Sequence, residues 1–328
     1  MTRSLPILAG SAVLLAVLLV AAKFTCEHRF APLNSGIQGG LAASPVDVLF
    51  VGSSHTRQSY DVHALEKSLH DSAFLVAYNG LDYQAMTVIV PALIANRKGP
   101  PKVLVIEGYC MSLVRTGGLE DSRMFFDAPP GMKVELMRQY LADGATWQRY
   151  LDLFDLAVNR DNELLLMHPA YSQLTAWLSY RGGYAGKYVP GLHDFDGIGL
   201  NIPLTSASPE QEAALVSVIK AAKQHNVRVL CIESPMPGPA ERQDTVIRLK
   251  ARLAQILREQ DVPYLDGASG FPVDDPKLFA DSNHLSTEGR ALFTEVAARF
   301  ISRMQQPGVG DPVVKVKNTG ISTALALP

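Results

Sequence analysis

The order of apolar and amphipathic segments predicts an α/β protein built on a doubly wound, five-stranded parallel sheet, with a helical insertion between the third and fourth strands. Three observations carry this. Five short runs rich in aliphatic and β-branched residues are apolar throughout, without alternation, as a strand buried on both faces requires. Amphipathic stretches with 3.6-residue spacing fall between them, and strand and helix alternating in this way implies parallel strands joined by right-handed crossovers. The third and fourth runs are separated by about 120 residues, far more than one crossover helix needs.

The strands are expected at DVLFVG (47 to 52), AFLVAYN (73 to 79), KVLVIEG (102 to 108), VRVLCIES (227 to 234) and PYLD (263 to 266). Helices are expected at 62 to 71, 84 to 97, 208 to 225, 242 to 259 and 287 to 304. Asp61 is placed to cap the first of these, and Ser208 to cap the third, with Pro209 at its first position and acidic residues in its first turn. The insertion, residues 112 to 206, reads as helical in KVELMRQYLADG, TWQRYLDLFDLAVN and ELLLMHPAYSQLTAWLSY, and then as a loop-rich stretch. Because it leaves from the carboxyl end of a strand, where ligands gather in such sheets, it is expected to roof a cleft. Residues 305 to 328 lack a core-forming pattern and read as a loose tail.

At the amino end, residues 5 to 22 form an uncharged apolar run of 18 residues behind Arg3. As a helix it would measure roughly 27 Å, close to the thickness of a bilayer's hydrocarbon core. Residues 1 to 23 therefore read as a membrane anchor or a cleaved signal peptide, with Val20 and Ala22 acceptable before a cut, ahead of the alternative of a buried core helix. Either form exports the rest, to the periplasmic or extracellular face. Residues 24 to 44 read as a polar tether, and 45 to 304 as one domain carrying the insertion. Thirty basic against thirty-two acidic residues, with no basic stripe, exclude a phosphate backbone as partner. Three cysteines, Cys26, Cys110 and Cys231, make no disulfide framework and no zinc spacing. A bridge between Cys110 and Cys231 and a pair of buried free thiols are both compatible with their positions on neighbouring strands.

Two stretches supply the parts of a nucleophilic site. VLFVGSSHTRQSYD (48 to 61) puts Ser54 just past an apolar strand, and FADSNHLSTEG (279 to 289) places Asp281 three residues before His284. A serine hydroxyl is a poor nucleophile until an imidazole takes its proton, and a carboxylate fixes that imidazole's tautomer. In AYNGLD, Gly80 and Asn79 follow the second strand, at the same end of the sheet. His55, next to Ser54, is a second candidate base by adjacency, but it points away from Ser54 if the chain is extended there, which favours a loop or substrate contact. Glu107 ends the third strand, placed for an acceptor contact or a structural ion pair. His193, Asp194 and Asp196 carry metal-compatible groups in what reads as a solvated loop. Trp177, Tyr180, Tyr184 and Tyr188 near Arg181 suit either a sugar platform or helix packing. No Gly-x-Ser-x-Gly elbow, zinc-protease pair or nucleotide-binding glycine loop occurs, and no cofactor or metal is implied.

These blocks resemble the SGNH (GDSL-like) hydrolase superfamily, whose fold is flavodoxin-like. Gly52-Ser53-Ser54 stands where that family has Gly-Asp-Ser, so Ser54 aligns with the nucleophile and Ser53 replaces the Asp. Asp281-Ser282-Asn283-His284 followed by a helix matches the closing Asp-x-x-His block, and Gly80 matches the glycine whose N–H serves the oxyanion. The family's Gly-x-Asn block is absent: the third strand runs into Tyr109 and Cys110. The resemblance implies catalytic Ser54, Asp281 and His284, with the N–H groups of Ser54 and Gly80, and the Asn79 amide, as oxyanion donors. With an amino-terminal membrane segment, it resembles envelope proteins that move acyl groups onto surface polymers, as in alginate acetylation or D-alanylation of teichoic acid. It implies an esterase or O-acyltransferase acting on an acyl-ester substrate, with a polysaccharide acceptor and envelope assembly partners. A plain exported esterase or lipase, and a silent glycan-binding scaffold, are the alternatives.

Overall fold

A computed structural model of the chain describes residues 36–42, 46–95, 99–114, 128–142 and 206–306, with isolated positions at Leu14, Val17, Leu18, Asp121 and Met124. The run at 5 to 22 lies outside these residues apart from three positions, as do residues 143 to 205 with Trp177, Tyr180, Arg181, Tyr184, Tyr188, His193, Asp194 and Asp196. Cys26 and the tail beyond 306 lie outside as well. Among the described residues no helix is long and apolar enough to cross a membrane.

In chain order the elements are α1 (Ile37–Ala42), β1 (Val48–Gly52), α2 (Ser54–Ser59), α3 (Val62–Leu69), β2 (Ala73–Ala77), α4 (Tyr83–Ile94) and β3 (Val103–Glu107). A 3-10 turn (Cys110–Leu113) and α5 (Pro130–Ala142) open the insertion. There follow α6 (Pro209–Gln224), β4 (Arg228–Ile232), α7 (Gly238–Glu241), α8 (Asp244–Glu259), β5 (Tyr264–Leu265) and α9 (Thr287–Gln305). Every expected strand is present, trimmed at its ends. The helices start where polar caps allow: Asp61 accepts the N–H of Ala64, Ser208 that of Gln211 and Ser286 that of Gly289. One expectation is corrected. Residues 36–42, assigned to the tether, include a short helix whose Ile37 is fully buried and donates its N–H to the Tyr78 hydroxyl oxygen at 2.7 Å, so the folded unit begins before residue 45.

The five strands are parallel, in the order β2-β1-β3-β4-β5. This is the flavodoxin-like order, whose crevice opens where the winding reverses, between the carboxyl ends of β1 and β3. Alternating side chains divide the core in two. Leu49, Val51, Phe74, Val76, Leu104 and Ile106 face α4, α6 and α8, whereas Val48, Phe50, Leu75, Val103 and Val105 face α3 and α9. Burying residues of this size on both faces is worth about 1.5–3 kcal/mol each before entropy is counted, which is why the strands are apolar without interruption.

Candidate active site

The site grows from the end of β1. Gly52 closes the strand, Ser53 takes an extended conformation (φ −88°, ψ −160°) and Ser54 is the first residue of α2. A side chain at Gly52 is impossible: its Cβ would collide with the Thr56 hydroxyl and lie 2.5 Å from Glu107 Oε2. Ser53 caps α2, its Oγ accepting the His55 N–H at 3.2 Å. The far end of α2 is tied down as well. The Ser59 hydroxyl donates to Ser234 Oγ at 2.7 Å, and the N–H of Asp61 donates to Thr294 Oγ1 of α9 at 2.9 Å.

The second part is the turn before α9. Asp281 Oδ1 accepts the backbone N–H groups of Asn283 and His284, each at 2.8 Å, so the carboxylate shapes the turn that carries the histidine. The Ala280 N–H donates to His284 O at 2.8 Å, and buried Phe279 and Leu285 pair on either side, anchoring the turn in the core. The His284 ring then lies between two partners. Its Nδ1 is 2.9 and 2.8 Å from the two Asp281 carboxylate oxygens, and its Nε2 is 2.9 Å from Ser54 Oγ. Burial acts to raise the Asp281 pKa, but the His284 ring and the two backbone N–H groups outweigh it and hold the carboxyl below its ordinary range. An ionised Asp281 facing Nδ1 favours the tautomer with its proton there, leaving Nε2 free to accept the serine proton.

The end of β2 supplies the third part. Ala77 is registered with Gly52, and the Tyr78 N–H donates to Gly52 O at 3.2 Å, so Asn79 and Gly80 leave the sheet at the same end as Ser53 and Ser54. Gly80 has φ +61°, the left-handed region that glycine occupies without strain. Asn79 is exposed and held at two points. Its Oδ1 accepts from Arg57 Nη2 at 2.8 Å, and its backbone N–H donates to Asp121 Oδ2 at 2.8 Å. The backbone N–H of Asn79 is thus already engaged, while its side-chain amide is oriented by Arg57.

One sequence expectation changes here. Glu107 is not placed for an acceptor contact, and among the described residues it is not half of an ion pair. It is 2% exposed and turned under the nucleophile, where it accepts the Ser53 N–H on Oε2 and the Ser53 hydroxyl on Oε1 at 3.0 Å. Burial pushes its pKa up to about 7, against the pull of Ser53 and Thr56. His55 is not a base. Its ring is stacked on Tyr109 (centroids 3.9 Å apart) and lies 5.0 Å from the His284 ring, forming a wall behind the imidazole. Burial, and secondarily the charge of His284, depress its pKa to about 3, and its buried Nδ1 has no hydrogen-bond partner among the described residues. Tyr109, which follows β3, thus presents an aromatic face to His55.

The sequence assigned no site role to Ser53, Thr56, Arg57, Tyr109 or Asp121. Ser53 and Thr56 sit inside the motif that found Ser54, so proximity was a usable signal. Asp121 lies in the insertion, 42 residues from its partner, with none. Cys110 and Cys231 are both buried and free. Among the described residues no group of three or more His, Cys, Asp or Glu could hold a metal ion.

No protein-family model matches the chain, and no curated protein matches its sequence. Solved structures do. An acetylxylan esterase from Geobacillus stearothermophilus is 14% identical with a TM-score of 0.39, covering 79% of this chain and 95% of its own. A protein from Bacteroides fragilis provisionally named an acylhydrolase is also 14% identical, with a TM-score of 0.40, covering 81% of this chain and 95% of its own. Both likenesses are weak, and neither bears on the chemistry of the site.

Proposed function

We propose that the chain is a serine-dependent esterase or O-acyltransferase, in which Ser54 attacks an acyl ester and carries the acyl group as an ester of its own oxygen. The observation that supports this is the unbroken run from Ser54 Oγ to His284 Nε2 at 2.9 Å and from His284 Nδ1 to Asp281 at 2.8 Å. His284 takes the Ser54 proton as the new C–O bond forms, and Asp281 steadies the resulting imidazolium. His284 then returns that proton to the departing alkoxide. The negative oxygen of the tetrahedral intermediate is assigned to the N–H groups of Ser54 and Gly80, aided by the Asn79 amide. One such donor is worth about 3 kcal/mol.

The acceptor decides the product. Water gives hydrolysis, and a bound sugar hydroxyl gives transfer, because a held acceptor gains the proximity advantage of an intramolecular reaction. The substrate class, acyl esters of a cell-envelope polysaccharide met on the exported side of a membrane, follows from the resemblance of the two motifs and from the apolar run at 5 to 22. The test is turnover of p-nitrophenyl acetate by the full chain, with and without an envelope polysaccharide. Wild type is expected to release nitrophenol, Ser54→Ala to release none above background, and added polysaccharide to become acetylated. Equal turnover by Ser54→Ala would remove Ser54 as nucleophile, and hydrolysis with no transfer to any polysaccharide would reduce the reading to a plain esterase.

A further inference from the structure

The carboxyl of Glu107 has no task in the acyl-transfer scheme, yet it lies buried against the nucleophile turn and, among the described residues, forms no salt bridge. Its two oxygens accept the N–H and the hydroxyl of Ser53, and the Thr56 hydroxyl adds a third donor. Ser53 Oγ in turn accepts the N–H of His55, so carboxyl, cap and first helical turn form one hydrogen-bonded chain that grips the backbone on both sides of Ser54. The platform beneath is rigid. β3 is paired with β1 on one side and β4 on the other, and the Tyr83 hydroxyl donates to the Glu107 carbonyl oxygen at 3.0 Å. A glycine is needed at position 52 partly to make room for this carboxyl. Burying a carboxyl without a counter-ion costs stability. Here the cost falls at the one turn whose geometry decides whether Ser54 faces His284.

We propose that Glu107 is a positioning residue of the nucleophile turn: by accepting the donors of Ser53 and Thr56 it fixes the backbone from which Ser54 Oγ reaches His284 Nε2. The proposal rests on the reading of Ser54 as the nucleophile. The ionised carboxyl is the holding form, because a protonated one places a hydrogen where a donor needs an acceptor. The titratable groups that face it are Tyr60 after α2, Tyr83 on α4, Cys231 on β4 and His284 before α9. None of these carries a fixed positive charge, and His284 becomes positive only when it holds a proton.

The test is the rate constant for fluorophosphonate labelling of Ser54 in the full chain, measured across pH for wild type, Glu107→Gln, Ser53→Ala and Thr56→Val. Glutamine keeps the volume but replaces one acceptor with a donor. It is expected to slow labelling about a hundredfold, the loss that an ångström of misplacement brings, while the final labelled fraction and the thermal midpoint stay near wild type. Wild-type labelling should rise with pH through the ionisation of Glu107, and that part of the rise should be missing from Glu107→Gln. A merely structural role would lower the labelled fraction and leave the rate constant and pH profile of the folded molecules unchanged. Ser53→Ala and Thr56→Val, which keep the carboxyl and remove one donor each, should slow labelling about tenfold through smaller displacements. Wild-type rates and profiles in all three variants would overturn the proposal. Should Glu107→Gln fail to fold, wild-type rates in the other two would overturn it alone. Wild type that does not label at Ser54 would instead remove the nucleophile reading, and the proposal with it.

Discussion

Two buried glutamates stand at neighbouring strand ends, one at the close of β3 and the other just past β4, and their surroundings differ in kind. Glu233 is fully buried, and Lys250 Nζ lies 3.3 Å from its Oε2. Lys250 also pairs with Glu241 and with Asp266, and the Tyr264 hydroxyl donates to Glu233. Burial would lower the pKa of that lysine, but the three carboxylates outweigh it and raise it instead. Glu107, by contrast, is surrounded by neutral hydroxyl and N–H donors. Burial pushes each carboxyl up to about 7, so burial alone does not separate them. The partner does. A carboxylate neutralised by lysine binds β4, β5, α7 and α8 together, whereas one offered only to the donors of a single turn sets the shape of that turn. A perturbed pKa therefore marks a functional position only when read with what the group holds.

The contrast can be broken most forcefully on the site side. Asp281→Asn should lower kcat for p-nitrophenyl acetate by about 10⁴-fold, because an amide facing Nδ1 favours the wrong tautomer of His284. Steady-state kinetics with unchanged thermal melting would show it, and a loss under tenfold would mean that the carboxylate does little for the imidazole. On the far side, Lys250→Met should cost about 3 kcal/mol of stability, since it leaves Glu233 and Glu241 buried without their cation. Urea unfolding checks the cost. Fluorophosphonate labelling per folded molecule should stay at the wild-type rate, and a slowed rate would erase the distinction drawn between the two ends of the sheet.

The shared feature sharpens the comparison through pH. A carboxyl whose folded pKa is raised from 4.5 to about 7 binds its proton more tightly in the folded state. Its contribution to stability is therefore full below the unfolded value and is lost as pH rises through the folded one. Stability should fall between about pH 5 and about pH 8, and Glu107→Gln, which removes one of these titrations, should make the fall shallower. Unfolding free energies at the two pH values decide, and a fall as steep as wild type would mean that Glu107 does not titrate there. The smallest effect is assigned to Asn79→Ala. Its side chain is exposed, so its amide should contribute about tenfold in kcat, less than a fully enclosed oxyanion donor. A loss of a hundredfold or more would place it at the centre of the oxyanion site, and no loss would leave that site to the backbone.

The fold was legible because parallel strands must be apolar on both faces: VLFVG, AFLVA, VLVIE and RVLCI give little room for another reading. Ser54, Asp281 and His284 were legible for a different reason, since each lies in a short block whose residue types and spacing match the chemistry. What stayed hidden is what depends on strand pairing. Nothing near Glu107 in sequence says that β3 lies beside β1, and that register alone sets its carboxyl under Ser53, 54 residues away. The Asn79 contact with Asp121 is equally silent, because its partner comes from the insertion. The stretch at 36–42 was misread for want of apolar periodicity: IQGGLA has small residues where Gly40 lies close to Leu93 and Val76, and only the packed structure shows why.

The central claim is that the Ser54 hydroxyl is made reactive by His284. It is met most directly by treating the full chain with a fluorophosphonate and mapping the adduct by mass spectrometry in wild type, Ser54→Ala and His284→Ala. A single adduct on Ser54 in wild type, absent from the first variant and nearly absent from the second, is the predicted result. An adduct on another residue, or labelling of Ser54 that persists at full rate without His284, would contradict it.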